Sequence, residues 1–449
     1  MLHVVIVGAG IAGLAAAVSL RRAGHHVKLY EQSSLNDEIG AAITIPPNAS
    51  RILLAWGVRP EDWGFVVSKG GSSYDPFTME KTKDFMTTET AQEIGGTPMY
   101  LSHRVDLHNC LKWIATREKG PGIPATIHLE SKVAAFDPVA PSITLQDGQT
   151  IYADFVVGAD GIHSRAAEAV LQHKIEPIEP KHSNVCYRFL IPASVLEQDP
   201  ETRHWNVANR SQTRIFPHND TQRRLVTYVC RNNTVHNFVG LFHERLARPA
   251  TEDWQAPVEV GEIVDKFKDF HPDIVNVIRQ VIGYLQKCWF SSVMQLTQCY
   301  RGQGGAQGIE DGLVLGITMI GARSRNDIQD RFRIYQEVRR NRASVIQILS
   351  NIGQDQAKHL KHEVLPYLEE DEIPTDPTQI QQFNFGYNAV DATLKAMRSR
   401  EPTFSLPLNF FDYEVIGVPL KPAVREVDVP LPHCGSIASA CGRAVVESS

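Results

Sequence analysis

Three glycines near the start of the chain, Gly8, Gly10 and Gly13, most constrain what it can fold into. The residues before them, 3–7, are almost continuously apolar, which is typical of a strand buried on both faces of a parallel sheet. Residues 11–23 are rich in Ala and Leu and read as a helix. The Gly-x-Gly-x-x-Gly spacing therefore lies at a strand-to-helix turn.

Each glycine of this turn has a physical role in holding a dinucleotide. The first permits a tight turn, the second lets the backbone approach a diphosphate, and the third lets the helix pack on the strand. A second strand, 26–30, is followed by Glu31, whose carboxylate is placed to accept hydrogen bonds from an adenosine ribose. A glycine-rich turn without a ligand is the alternative. The sequence favours dinucleotide binding, and this motif leaves NAD and FAD both open.

The composition excludes several other classes of protein. The chain has 449 residues, enough for two or three domains. Acidic residues number 51 against 45 basic ones, so no excess of positive charge is available to bind nucleic acid. The 7 cysteines include no Cys-x-x-Cys pair and no spacing typical of zinc ligands. We therefore predict reduced thiols and no metal site.

Two other stretches need an interpretation. The apolar start, 4–20, lacks a basic leader and is interrupted by the three glycines, so a strand and helix explain it better than a signal peptide. No other stretch approaches the ~18 apolar residues of a membrane span, and we expect a soluble cytoplasmic protein. The basic run 339–342 is interpreted as the solvated face of a helix.

The pattern of predicted elements divides the chain into four parts. Residues 1–180 form the first part of a dinucleotide-binding domain, with an inserted irregular segment at about 65–100. Residues 181–290 alternate like an antiparallel sheet and predict a substrate domain. Residues 291–350 return to the first domain and end in a long helix. The remainder, 351–449, is a C-terminal segment whose end is expected to be disordered.

Residues 154–165, Asp-Phe-Val-Val-Gly-Ala-Asp-Gly-Ile-His-Ser-Arg, resemble the second signature of the flavin-dependent aromatic hydroxylases. The resemblance is to the salicylate-hydroxylase-like branch of the single-component flavoprotein monooxygenases, which share the para-hydroxybenzoate hydroxylase-type fold. In that family the Asp-Gly pair, here Asp160 and Gly161, lies near the flavin and the passage for reduced nicotinamide. A bare turn is the alternative. The resemblance implies FAD as cofactor, with NADH or NADPH as a transient reductant.

Two further stretches resemble the cofactor site of the same branch. Residues 40–49, which include Ala42, resemble the loop beside the isoalloxazine ring. Arg104 matches the family's arginine that contacts the cofactor, and its place at a helix start would be unfavourable without an anionic partner. An exposed surface arginine is the alternative.

Two candidate catalytic residues lie in the predicted substrate domain. Arg188 aligns with the family's inward arginine above the flavin, and Tyr228 aligns with a pocket tyrosine. A guanidinium pairs with a substrate carboxylate or phenolate, and a phenol orients it. The alternatives are a strand-edge arginine and a core tyrosine.

The third signature of the family is only half present. Residues 300–312, which include Gly305, match its glycine-rich helix start, whose amides would approach the pyrimidine edge of the flavin. The Gly-Asp pair that should precede it is missing from 289–299. No aspartate occurs between Asp273 and Asp311, so the family's ribityl-contacting carboxylate has no candidate. We interpret this as an altered segment, such as a missed exon.

The resemblance implies an α/β protein with a Rossmann-like FAD-binding domain interleaved with a mixed or antiparallel β-sheet substrate domain, plus a C-terminal helix and tail. The implied reaction uses NAD(P)H and O2 to hydroxylate a small aromatic or phenolic molecule of secondary metabolism, with or without decarboxylation. An inactive flavoprotein-like protein and a flavin- or nicotinamide-dependent reductase are the alternatives. Substrate identity and oligomeric state stay open.

Overall fold

The structure is a computed structural model. It describes residues 1–35, 41–161, 164–174, 184–208, 211–243, 260–280, 289–292, 303–351 and 357–413. The chain forms one compact unit over Met1–Val418. A second unit, Pro419–Ser449, lies outside the described residues, and so does the predicted disordered end.

The strands and helices alternate at first and then separate into a strand-rich and a helix-rich part. The strands are β1 (His3–Val7), β2 (His26–Tyr30), β3 (Ala42–Ile45), β4 (Val66–Val67), β5 (Gly71–Tyr74), β6 (Lys81–Met86), β7 (Tyr100–His103), β8 (Thr126–His128), β9 (Val133–Asp137), β10 (Ser142–Leu145), β11 (Thr150–Tyr152), β12 (Phe155–Gly158), β13 (Asn184–Pro192), β14 (Thr213–His218), β15 (Arg223–Cys230), β16 (Val235–His243) and β17 (Trp289–Ser292). The helices are α1 (Ile11–Arg22), α2 (Pro47–Ala55), α3 (Thr88–Gly95), α4 (Arg104–Thr116), α5 (Arg165–Leu171), α6 (Ala193–Gln198), α7 (Arg203–Ala208), α8 (Val260–Phe267), α9 (Pro272–Arg279), α10 (Gly304–Met319), α11 (Arg325–Asn351), α12 (Ala357–Val364), α13 (Pro377–Gly386) and α14 (Ala389–Arg398).

The first sheet is parallel and has the strand order β12-β1-β2-β8. Its central strand β1 is buried at every position except the first, which is why its sequence is a continuous apolar run. Val5 of β1 pairs with Lys28 on one side and with Val156 on the other. The predicted strand–helix–strand unit is therefore present, and α1 is its crossover.

The second large sheet is mixed, with the strand order β17-β13-β16-β15-β14-β5-β6. Every pairing is antiparallel except that of β14 with β5. One face carries aromatic side chains such as Phe216 and Phe238, which pack with Phe267 of α8. These two sheets confirm the predicted α/β fold with a second, mixed sheet, which is called the substrate sheet after its predicted role.

The segment 65–100 was expected to be irregular, and the structure shows β4, β5, β6 and α3 within it. Strands β5 and β6 form a hairpin that extends the substrate sheet. The reason for the misleading composition is exposure: β6 is the edge strand, and its first four residues are all exposed. An edge strand with few buried side chains lacks the apolar alternation that reveals a strand.

Helix α10 lies against α1 along a face of small residues. A Cβ added at Gly308 would lie 3.0 Å from Ala12 Cβ, and one at Gly312 would lie 2.4 Å from the backbone nitrogen of Ala16. At Gly316 the added atom would lie 2.0 Å from Ser19 Oγ. Because these contacts include backbone atoms, only glycine permits this helix separation.

The C-terminal segment also packs on α1. Arg22 is buried and donates to the carbonyl of Phe410 at 2.9 Å and to Asp412 Oδ2 at 3.0 Å. Its second amino group donates to the carbonyl of Trp56 at 3.1 Å. Residues near position 410 are thus tied to the first helix of the chain.

The contact between α1 and α10 predicts a difference between two glycine-to-alanine substitutions. Gly312→Ala should lower the free energy of unfolding by about 1–3 kcal/mol, because the new methyl group would overlap the α1 backbone. Gly261→Ala is the matched control, since a Cβ at Gly261 of α8 meets no atom within 4 Å. Denaturant unfolding of both variants measures the difference, and equal stabilities would contradict the described helix separation.

Candidate functional site

The glycine turn adopts the geometry that a bound diphosphate requires. Gly8 has a φ of +98°, and a Cβ there would lie 2.3 Å from the carbonyl oxygen of Ala159. A Cβ at Gly13 would lie 2.0 Å from the carbonyl oxygen of Gly8. Gly10 differs, because a Cβ there meets nothing within 4 Å. Gly8 and Gly13 therefore permit close packing, whereas Gly10 faces open space.

The open space at Gly10 lies at the N-terminus of α1. Gly10 is the N-cap residue, and no side chain caps the free N–H groups of the first turn. These uncapped donors and the helix dipole favour an anion. The residues present therefore fit the diphosphate of a dinucleotide cofactor.

The residue between the first two glycines, Ala9, is held from two sides. Glu31 Oε2 accepts a hydrogen bond from the Ala9 N–H at 2.8 Å, and Glu31 Oε1 accepts from the N–H and the hydroxyl of Ser33, each at 2.9 Å. His108 of α4 lies with Nε2 at 2.6 Å from the Ala9 carbonyl oxygen. Because a carbonyl only accepts, His108 Nε2 carries the proton. The sequence reading missed His108, and its one available signal was its place one helical turn after Arg104.

Asp160 and Gly161 lie directly after β12. Asp160 caps α5: its Oδ2 accepts from the backbone N–H groups of Arg165 at 2.8 Å and Ala166 at 3.1 Å, and its Oδ1 accepts from Ser164 Oγ at 2.6 Å. Gly161 has a φ of +79°, and a Cβ there would meet nothing within 4 Å. The Asp-Gly pair therefore ends the strand next to the glycine turn, which contacts Ala159.

Three more predicted site residues meet at β3. The backbone N–H of Arg104, the first residue of α4, donates to the Ala41 carbonyl at 2.9 Å. The buried Tyr228 donates its hydroxyl proton to the Ala42 carbonyl at 3.0 Å. The Arg104 guanidinium makes no hydrogen bond or ion pair with a described side chain or backbone group. Ala42, Arg104 and Tyr228 are thus brought together.

Arg188 lies on the same face of the substrate sheet as Tyr228. Arg188 of β13 pairs with Val239 of β16, which pairs in turn with Val226 of β15. Tyr228 is two residues after Val226, and alternate residues of a strand share a face. Arg188 is half-buried there. This face packs toward β3, because Tyr228 and Ala42 belong to one apolar cluster.

Gly305 brings the start of α10 to the same region. A Cβ at Gly305 would lie 2.9 Å from Ile43 Cδ1 of β3 and 3.7 Å from Ile11 Cδ1 of α1. The start of α10 therefore lies next to both strand β3 and the glycine turn at the start of α1.

The segment 289–299, which lacks the family's Gly-Asp pair, begins with a strand. Residues Trp289–Ser292 form β17, which pairs with β13 in the substrate sheet. Strand β17 therefore does not extend the parallel sheet, and residues 293–302 lie outside the described residues. Among the strands that the structure describes, β12 pairs with β1 alone.

The prediction that the basic run 339–342 forms the solvated face of a helix is wrong. Arg339 and Arg342 are buried, and both bind the fully buried Glu310 of α10. Arg339 lies 2.6 Å from Glu310 Oε2, and Arg342 lies 3.2 Å from Glu310 Oε1. Only Arg340 and Asn341, between them, are exposed. The periodicity of α11 turns the first and fourth residues of the run to the same side.

The ion cluster keeps Glu310 charged. Burial alone would raise the pKa of the Glu310 carboxyl, but the guanidiniums of Arg342 and Arg339 outweigh burial, and the pKa is lowered. Asp311 Oδ1 accepts from Arg339 Nε at 2.7 Å. Two carboxylates and two guanidiniums thus balance in charge.

Comparison with known proteins identifies the family. The model of an FAD binding domain matches residues 1–253. The FAD-dependent monooxygenase cfoG of Aspergillus candidus is 44% identical over 426 residues, which cover 91% of this chain and 98% of that protein. The chain belongs to the FAD-dependent monooxygenases. This confirms the family that residues 154–165 suggested.

A second relative and a solved structure are also similar to this FAD-dependent monooxygenase. Hispidin-3-hydroxylase of Neonothopanus nambi is 32% identical, over 77% of this chain and 86% of that protein. The crystal structure of CtdE in complex with FAD and a substrate has the same fold, with a TM-score of 0.68 and 20% identity over 89% of this chain and 98% of that one.

In the described part of the monooxygenase, no group of three or more His, Cys, Asp or Glu side chains is arranged to hold a metal ion. None of the described helices combines the length and apolar character needed to cross a membrane.

The open space at Gly10 predicts a substitution that separates folding from cofactor binding. Gly10→Val should leave the apoprotein folded, because a Cβ at this position has no atom within 4 Å. It should weaken FAD binding at least about a hundredfold, because the side chain fills the phosphate space. Titration of the apoprotein with FAD, alongside thermal unfolding, measures both. Gly13→Val is the contrast, since its side chain collides with the Gly8 backbone and should destabilise the fold itself. Unchanged FAD affinity in the Gly10 variant would contradict this site.

The ion cluster predicts a large loss of stability when its carboxylate is neutralised. Glu310→Gln removes the carboxylate partner of Arg342, leaves the buried cluster with one uncompensated positive charge and should cost about 3–5 kcal/mol. Glu337→Gln is the control, because Glu337 is 54% exposed in its pair with Arg400 and should cost less than about 1 kcal/mol. Since the Glu310 pKa is lowered on folding, its contribution exists above the ordinary carboxyl pKa and is lost as the pH falls through the folded value. Denaturant titrations should show Glu310→Gln approaching the stability of the wild type only in acid, while Glu337→Gln stays close to the wild type at neutral pH as well.

Proposed function

We propose that this monooxygenase uses NADH or NADPH and O2 to hydroxylate a small aromatic or phenolic compound of secondary metabolism. The proposal rests on the contacts that bring Ala42, Arg104 and Tyr228 together. Tyr228 also shares a face of the substrate sheet with Arg188. One relative, from Streptomyces cremeus, is a 3-amino-4-hydroxybenzoate 2-monooxygenase, 30% identical over 45% of this chain. Its substrate is an aromatic acid, which supports the proposed substrate class.

FAD, when bound, supplies the redox chemistry that activates oxygen after reduction by the nicotinamide. The residues of this chain bind and orient it. The amides after Gly10 hold the diphosphate, and Glu31 accepts hydrogen bonds from the ribose through the lone pairs that Ala9 and Ser33 leave unused. Arg104 provides a positive charge at the start of α4, where no described carboxylate neutralises it.

Arg188 and Tyr228 are proposed to orient the substrate. The Arg188 guanidinium suits a carboxylate or phenolate, since it donates in a planar fork. Tyr228 donates its hydroxyl proton to the Ala42 carbonyl, so toward a substrate its oxygen acts as an acceptor. The pair therefore offers a donor and an acceptor to one phenolic acid.

The missing Gly-Asp pair supports a second candidate, an inactive flavoprotein-like protein. No aspartate between Asp273 and Asp311 replaces the missing carboxylate. A reductase that acts on a double bond is the third candidate.

Oxygen uptake distinguishes the three. Under the proposed function, purified protein loaded with FAD should be yellow and should consume O2 and reduced nicotinamide in equal amounts when a suitable phenolic acid is added. Nicotinamide oxidation without oxygen uptake would favour the reductase. Bound flavin without either would favour the inactive protein.

Arg188→Ala should reduce kcat/KM for a carboxylated substrate at least about thirtyfold, the equivalent of ~2 kcal/mol. Bound FAD should be unchanged, because Arg188 lies on the substrate sheet. Arg223→Ala is the matched control: Arg223 is on β15, its position is on the opposite face from Tyr228, and it pairs with Asp269 at 2.5 Å. Steady-state kinetics and flavin content measure both variants. Loss of flavin from the Arg188 variant would remove this residue from the substrate pocket.

A further inference from the structure

The two faces of the substrate sheet differ in how far they are covered. Phe189 of β13 and Leu225 of β15 lie on the face that packs on α8 and α9, and they are 2% and 0% exposed. Because alternate residues of a strand point to opposite faces, Arg188 and Val226 lie on the other face, which is called the inner face. Arg188, Val226 and the neighbouring Ile215 of β14 are each half-buried. The inner face therefore leaves side-chain surface within reach of a ligand.

One row of side chains across the inner face has a charged end and is apolar beyond it. Strand pairing aligns Arg188 of β13 with Val239, Val239 with Val226, and Val226 with Ile215. Arg188 and Ile215 are separated by three strand spacings, which amount to about 14 Å. A guanidinium thus stands at one end of a continuous apolar strip, which is called the apolar row.

The next row of the inner face is covered. Tyr228, two residues after Val226, donates its hydroxyl proton to the Ala42 carbonyl at 3.0 Å. Tyr228 also shares an apolar cluster with Ala42 of β3 and Leu101 of β7. These two strands therefore lie over the sheet at Tyr228. A ligand that binds Arg188 must lie beside Tyr228, along the apolar row.

The length of the apolar row bears on the size of the ligand. A benzene ring covers little more than one strand spacing, so a single-ring acid held at Arg188 would leave Ile215 uncovered. A second ring in line with the first would cover Val226 and Ile215, and the burial of this additional apolar surface would strengthen binding. Because the row carries no polar side chain after Arg188, the body of the ligand that lies on it has to be apolar.

We propose that the substrate is a two-ring phenolic compound, whose acidic end binds Arg188 and whose second ring lies on Val226 and Ile215. Ile215 is then a specificity-determining residue that distinguishes two-ring from single-ring phenols. This inference rests on the proposed function, in which Arg188 and Tyr228 orient a phenolic substrate.

Calorimetric titration of the full-length, FAD-loaded protein without nicotinamide tests the size of the ligand. The probes are para-hydroxybenzoate and its biphenyl analogue, in which a second phenylene ring separates the hydroxyl from the carboxylate. The biphenyl acid should bind at least about thirtyfold more tightly, the effect of burying one more aromatic ring. Equal affinities, or tighter binding of para-hydroxybenzoate, would overturn the inference and leave the proposed function standing. Binding of neither probe would overturn both.

A substitution at the far end of the apolar row tests where the second ring lies. Ile215→Ala should weaken binding of the biphenyl acid about fivefold, because part of the apolar contact is lost, and should change that of para-hydroxybenzoate less than about twofold. Val264→Ala is the matched control, since Val264 of α8 is also half-buried but packs on the opposite face of the sheet, and it should change neither affinity. Equal weakening of both probes by Ile215→Ala, or no weakening of either, would contradict this placement.

Discussion

The close packing of α1 on α10 is the contact on which the rest of the structure depends. Helix α1 carries the glycine turn at its start, and α10 carries Gly305 at its own start. Because Gly308, Gly312 and Gly316 let the two backbones approach, both helix starts reach the same region. A larger residue at these positions would move the glycine turn of α1 away from the start of α10. The cofactor site is thus built by helix packing as well as by the glycine motif.

The buried ions add orientation to this packing. Replacing a buried ion cluster by apolar residues is often neutral or stabilising, so such a cluster is weak evidence for stability alone. Here the charged groups fix the orientation of three amide side chains. Asn48 donates to Glu310, Gln307 accepts from Arg339, and Gln307 in turn donates to Gln303. Glu310, Arg339 and Arg342 join α10 to α11, and Arg342 also donates to the Asn384 carbonyl of α13. The effect of this ion cluster is therefore to fix the orientation of the amide side chains, in addition to any effect on stability.

Sequence patterns predicted the parts of the fold whose signals are local. The glycine spacing, the apolar run of β1 and Glu31 lie within 31 residues, so the first unit was readable. The partners of Arg339 and Arg342 are not local: Glu310 lies 29 and 32 positions away on another helix. The adjacent acids Glu310 and Asp311 within the otherwise apolar α10 were the available signal. His108 was missed for the same reason, because its contact with Ala9 spans 99 positions.

The contacts of Arg22 and Ser19 have a consequence for synthesis of the chain. Arg22 binds the carbonyl of Phe410, 388 positions later, and Ser19 donates to the Leu313 carbonyl, 294 positions later. A nascent chain that has emerged only as far as the substrate strands therefore lacks the groups that cover its first helix. Such long-range closure slows folding and leaves apolar surface open to chaperones or aggregation. The contacts that cover α1 can therefore form only after residues 313–410 have been synthesised.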